Sequence, residues 1–137
     1  MLPLIRKSIA YKFFPVCWTV LIIILLCIPG SMVPGKGIFS IPNLDKLVHV
    51  ILFGTNVLLW GWHYGQSDRT PGVLKQIIVA DVVLTTGLGI ALEYVQGSGL
   101  VSHRSFDVKD IMADTVGALI AGAWLWWRTL RKQPGQF

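Results

Sequence analysis

Charge is scarce in this 137-residue sequence: 14% of its residues are Asp, Glu, Lys or Arg, 53% are hydrophobic, and the mean hydropathy is +0.62. That composition excludes an ordinary soluble domain, and the length excludes two domains. Cysteine is almost absent. Cys17 and Cys27 share one apolar run, where a helix would hold them about 15 Å apart at ~1.5 Å per residue, too far to pair. No Cys-x-x-Cys or Cys/His zinc spacing occurs, so cysteine usage indicates neither a structural metal nor a redox compartment. A P-loop and a recognisable Ser-His-Asp arrangement are also missing, which leaves nucleotide-driven transport and acyl transfer without support. Acidic residues are few as well, 7 against 12 basic ones, for a formal charge of +5. In so hydrophobic a chain that excess is a topology signal first, and nucleic acid is set aside as a partner.

What the sequence has is long apolar stretches: Phe13 to Ile28, Leu47 to Tyr64, Gln76 to Val95 and Ile111 to Trp127. A membrane span needs roughly 20 residues, with a range of about 17 to 25, so each is near spanning length once flanking residues are included. The runs are continuously apolar, without the alternation of barrel strands, which excludes a closed β-barrel. The expected fold is all-α, one domain over 1–137: an integral membrane bundle of four transmembrane helices at about 13–29, 46–64, 75–96 and 108–128. The first run follows Arg6, Lys7 and Lys12 as a signal peptide would, but it lacks a good small-x-small cleavage site, so a retained helix is expected. The Pro29 to Gly37 segment is dense in turn formers and reads as an irregular loop.

Counting basic residues on alternate sides gives Arg6, Lys7, Lys12, Arg69, Lys75, Arg128, Arg131 and Lys132 on one side, and Lys36, Lys46, Arg104 and Lys109 on the other. The first side is therefore cytoplasmic, and both termini with it. All six tryptophans, at 18, 60, 62, 124, 126 and 127, fall toward the inner ends of their spans as an interfacial belt.

The ionisable residues of the spans are the most informative feature. Asp45, Lys46, His49, Glu93, Arg104, Asp107, Lys109, Asp110 and Asp114 all map to the outer end. Such groups cost on the order of 2.5 to 3.5 kcal/mol each on insertion scales, so they are expected to face one another or a wet cavity. Asp45 and His49 stand four residues apart on one helix face, with Lys46 turned toward the flank or the headgroups. Either Asp45 orients the imidazole, making His49 a proton carrier or metal ligand, or Asp45 caps the helix and His49 is a packing residue. Glu93 and Gln96 share a face at the end of the third helix, and the partners expected for Glu93 are Arg104 and His49. Asp107 reads as the cap of the fourth helix, with Asp110 and Asp114 on the same stripe. Their mutual repulsion calls for Arg104, Lys109 or a divalent cation, and such a cation would sit at the Glu93/Asp110/Asp114 cluster.

Asp81 stands apart near the inner end of the third span, with Lys75 or interfacial water as its expected partner. A proton-coupled carrier would want polar residues through the midplane, where only Asn56, Thr85 and Thr86 are found. The small-residue stripes Ala113/Gly117/Ala121 and Gly87/Ala91 predict close packing of the third and fourth helices, and they offer faces for a homodimer.

Asp45-Lys46-x-x-His49 at the start of one span, Glu93-x-x-Gln96 at the end of the next, and Arg104-Ser105-x-Asp107-x-x-Asp110-x-x-x-Asp114-x-x-Gly117 opening the last together resemble the VanZ-like family, over about Leu44 to Trp127. Asp114 stands where that family often has Asn. The resemblance implies a small multi-pass protein of the bacterial cytoplasmic membrane, in a family named for association with teicoplanin resistance. With the outer cluster it suggests action on, or binding of, an envelope lipid or lipid-linked precursor. The residues expected to transfer protons or bind a metal are Asp110, Glu93 and His49, and the expected substrate-binding residues are Asp45, Lys46, Gln96, Arg104, Ser105, Asp107 and Asp114. The competing expectation is a non-enzymatic membrane accessory in which the same residues form a structural ion-pair network.

Overall fold

The computed structural model describes residues 2–32, 42–65 and 69–131, with side chains from residue 13 onward. Four helices make up almost all of it: α1 (Leu2–Cys27), α2 (Leu44–Gly65), α3 (Pro71–Gly97) and α4 (Val108–Arg131). A single 3-10 turn at Gly30–Met32 follows α1, and no strand occurs among the described residues. The protein is all-helical, as expected. Of the expected loop at Pro29 to Gly37, residues 33–37 lie outside the described residues, as does Lys132 of the charge count.

The helices run past the apolar stretches that announced them, because backbone hydrogen bonding does not stop where apolarity does. α1 starts eleven residues before Phe13, and α3 begins at Pro71 rather than residue 75. At α3 the signal was in the sequence: Thr70 is the N-cap, its hydroxyl accepting from Val73 N at 3.4 Å, with Pro71 in the first turn where its missing N–H costs nothing. Asp107 caps α4 as expected, its Oδ1 accepting the Lys109 N–H at 2.8 Å.

Side-chain pairing fixes the topology as up-down-up-down. The end of α1, the start of α2, the end of α3 and the start of α4 meet at one end, through Gln96 to Leu26 O, Lys46 to Asp107 and Glu93 to Asp107 N. At the opposite end cations lie over tryptophan rings: Arg128 over Trp62 and Trp124, Lys75 over Trp126, and Arg131 over Trp127. α2, α3 and α4 pack mutually, and α1 packs on α2 and α3 but makes no contact with α4 among the described residues.

Small residues set the spacing, though not where the stripes predicted. A Cβ on Gly117 would collide with Val50 O of α2, and one on Gly54 would lie 3.1 Å from Gly117 O, so the Ala113/Gly117/Ala121 stripe admits α2 rather than α3. α3 instead approaches α4 through Gly89 and Gly122, while Gly87 has nothing within 4 Å and is exposed together with Ala91.

The partition of polarity is unusual. Large apolar side chains are exposed on every helix, among them Ile24, Ile51, Leu84 and Ile120, while His49, Asn56, Asp81, Thr85, Glu93, Gln96 and Asp114 are buried. Among the described residues, α2 and α3 are long and apolar enough to cross a membrane, and Phe13–Cys27 of α1 forms a shorter apolar stretch.

Candidate functional site

The charged end of the bundle is built around Lys46, whose position departs from expectation. Its ammonium turns inward and lies 2.7 Å from Asp45 Oδ2, 2.8 Å from Asp107 Oδ2 and 2.7 Å from Asp110 Oδ1. Among the described residues the ion pairs of Asp107 and Asp110 come from a lysine of α2 rather than from Arg104 or Lys109. It also holds the Asp107 carboxyl below the usual carboxylate range.

One turn deeper lies a buried histidine–carboxylate pair. His49 Nδ1 is 2.8 Å from Asp114 Oδ1, and Asp114 is 1% exposed. Asp114, from α4, therefore orients the imidazole, whereas Asp45 is taken up by Lys46. Gly89 makes this possible: a Cβ there would lie 2.5 Å from Asp114 Oδ2, so only glycine leaves room on α3 for the carboxylate. The His49 ring also stacks on Phe53, centroids 6.3 Å apart, which fixes its plane.

In the tautomer whose Nδ1–H donates to the Asp114 carboxylate, a neutral ring presents its Nε2 lone pair on the far side. That face looks at two more carboxylates. Nε2 lies 3.9 Å from Asp110 Oδ2, and one ligand atom each from His49, Glu93 and Asp110 lie within 4.8 Å of one another. Glu93 is fully buried. Its Oε2 accepts the Asp107 N–H at 3.0 Å, so a carboxylate of α3 satisfies the first orphan donor of α4, and its Oε1 has no hydrogen-bond partner. Asp114 Oδ2 is likewise buried without one.

A nitrogen lone pair and two carboxylates converging on one point, with the opposite ring nitrogen fixed by a buried carboxylate, is the donor arrangement of a divalent transition-metal site. Of the two sets expected, His49, Glu93 and Asp110 are the ones brought within 4.8 Å of one another, while Asp114 of the Glu93/Asp110/Asp114 set stands behind the imidazole. The formal charge agrees: among the described residues the ion pairs of Asp45, Asp107, Asp110 and Asp114 are made by Lys46 and His49, and Glu93 adds a further carboxylate.

The remaining expected residues have other contacts. Gln96 Nε2 donates to Leu26 O at 3.0 Å and Arg104 Nε to Ile28 O at 3.4 Å, so both satisfy carbonyls left open where α1 ends. Arg104 thus serves α1 rather than Glu93, and it stays half-exposed at this end, while Ser105 is exposed.

Toward the middle of the bundle a second polar group had gone unread as a unit. Trp60 Nε1 donates to Thr19 Oγ1 at 3.1 Å, Thr19 Oγ1 lies 2.8 Å from Asn56 Oδ1, Asn56 Nδ2 donates to Thr85 Oγ1 at 3.1 Å, and Thr85 Oγ1 donates to Asp81 Oδ1 at 3.4 Å. Thr85, rather than Lys75, is the partner of Asp81; Lys75 lies over Trp126. The signal was a stripe of spacing four on α3, Asp81-Thr85-Gly89-Glu93, which places all four on one face.

Comparison of the chain with protein-family models, with curated proteins and with solved structures gives no match.

Proposed function

We propose that this chain is a VanZ-like protein spanning the bacterial cytoplasmic membrane four times with both termini inside, and that its outward charged end holds a divalent cation. Through that cation and Arg104 it binds the phosphate-bearing head of an envelope lipid or lipid-linked precursor. The observation that carries the reading is the convergence of His49, Glu93 and Asp110 within 4.8 Å, with Asp114 on the other nitrogen of the imidazole.

The membrane part of the proposal rests on the inverted polarity of the bundle. Exposed apolar faces on all four helices suit lipid, and polar groups within a bilayer turn inward. The cation part rests on charge. Lys46 already meets three carboxylates and has no capacity left for phosphate, so an anionic head reaches this acidic end only with a bound cation as bridge. A divalent ion at His49, Glu93 and Asp110 would supply Lewis acidity toward a phosphoryl oxygen. Glu93 Oε1, the oxygen not taken by the Asp107 N–H, would be its ligand atom on that ion. Whether this end binds or also turns over its lipid, it faces the leaflet on which teicoplanin acts, in line with the family's association with resistance.

The three-carboxylate bridge at Lys46 favours a second reading, an accessory protein in which the cluster only fixes helix register. Native mass spectrometry of the gently purified protein separates them. A phosphate-bearing lipid retained by the wild type, released by a chelator and absent from Asp110→Asn at matched thermal stability supports the binding site. Equally empty spectra for both proteins reject it in favour of the accessory.

A further inference from the structure

The polar chain in the middle of the bundle ends in a cavity, away from the His49 site. A space of about 550 Å³ lies among α1, α2 and α3, lined by Thr19, Asn56 and Trp60 on two helices and by Ile77, Asp81 and Leu84 on the third. That volume falls within the range of small-molecule sites, roughly 300 to 1,000 Å³. Its walls are mostly apolar, and one wall group lacks a partner: Asp81 is 8% exposed, and its Oδ2 is buried without a hydrogen bond.

The hydrogen bonds show which oxygen of Asp81 the fold leaves without a partner. Trp60 Nε1 donates to Thr19 Oγ1, whose hydroxyl lies 2.9 Å from Pro15 O and 2.8 Å from Asn56 Oδ1, and Asn56 and Thr85 carry the chain on to Asp81 Oδ1. One Asp81 oxygen is thus met by Thr85, and the other is buried without a partner in the wall of an apolar cavity.

We propose that this cavity binds a monocationic amphiphile, a protonated amine carrying an apolar chain, with its ammonium on Asp81 Oδ2 and its chain along Ile77 and Leu84. A metal ion would find a single carboxylate here, too few ligands for a site. A fatty acid would set its carboxylate against that of Asp81. Arg69, which lines the same cavity, lies over the Tyr64 ring 5.3 Å from its centroid and so adds positive charge at the loop end, which disfavours a second cationic group on the ligand.

The test is isothermal titration of n-octylammonium into the full-length protein in maltoside micelles, with the same titration into empty micelles subtracted. 1-Octanol and octanoate serve as neutral and anionic ligands of equal chain length. Saturable one-to-one binding of n-octylammonium is expected, at least tenfold tighter than either comparator. Asp81→Asn, nearly isosteric and still able to accept from Thr85, is expected to lose that preference. Ala80→Phe, which fills the cavity without touching the carboxylate, is expected to abolish binding with Asp81 intact. Equal affinity for the amine and 1-octanol, a preference for octanoate, or unchanged amine binding by Asp81→Asn overturns the proposal. None of these results depends on the His49 site.

Discussion

Gly89 is the position where the smallest change should have the most specific effect. An added methyl would lie 2.5 Å from Asp114 Oδ2, 3.0 Å from its Cβ and 3.1 Å from its Cγ. The carboxylate cannot swing aside, because it is 1% exposed and bonded to His49 Nδ1 at 2.8 Å. Gly89→Ala must therefore part α3 from α4 or break the histidine bond. Overpacking of this kind costs about 1 to 3 kcal/mol, or roughly 3 to 10 °C in the unfolding midpoint for a chain of this size. Gly87→Ala is the internal control. It lies two residues away on the same helix with nothing within 4 Å, so it should gain up to about 1 kcal/mol from helix propensity alone. Thermal unfolding in maltoside micelles, followed by far-UV circular dichroism, compares the two. A double-mutant cycle sharpens the test: Asp114→Ala removes the atoms that the new methyl meets, so the pair should be less destabilised than the sum of the singles. Equal midpoints for Gly89→Ala and Gly87→Ala, or strict additivity in the cycle, would refute the reasoning.

Lys46→Met should destabilise by about 1 to 3 kcal/mol, since it strips the charged partner from three carboxylates at once, and millimolar Mn²⁺ should recover part of the loss; melting curves with and without the ion check this. Asp107 is held below its ordinary value of 3.8 by Lys46, so its charge stabilises the folded state in full above that value and is lost as pH falls through the lowered one. The midpoint difference between wild type and Asp107→Asn should therefore be constant near neutrality and shrink below about pH 4. Gly117→Ala, whose methyl would collide with Val50 O beside His49, should destabilise at least as much as Gly89→Ala and, by parting α2 from α4, should also weaken metal binding per folded molecule, read by Zn²⁺ titration.

Helix number and order were legible because each apolar run is long, and the Asp107 cap because it stands directly before a helical pattern. The grouping of the charged residues at one end followed from topology alone. Which residues pair was not legible. Lys46 and Asp45 adjoin in sequence, but whether the lysine turns to the lipid surface or to α4 depends on α4 being within reach, and that is set by Gly54 and Gly117 across the helix interface. The preference of His49 for Asp114 over Asp45 has the same origin: a spacing of four on one helix places Asp45 a turn above the ring, while Gly89 lets Asp114 slip in beside it. Gln96 and Arg104 read as site residues because they are polar and near the cluster, yet the carbonyls at the end of α1 claim both. The Asp81 chain draws single residues from three helices, and no window of sequence shows it as a unit.

We propose that His49, Glu93 and Asp110 hold a divalent transition-metal ion. The most direct test is Zn²⁺ stoichiometry by elemental analysis after equilibrium dialysis, on the wild type and on His49→Ala, Glu93→Gln and Asp110→Asn, each checked for folding by circular dichroism. One equivalent of tightly held Zn²⁺ in the wild type, and its loss in all three folded variants, is the predicted result. A folded wild type that retains no Zn²⁺, or variants that retain as much as the wild type, would contradict the account.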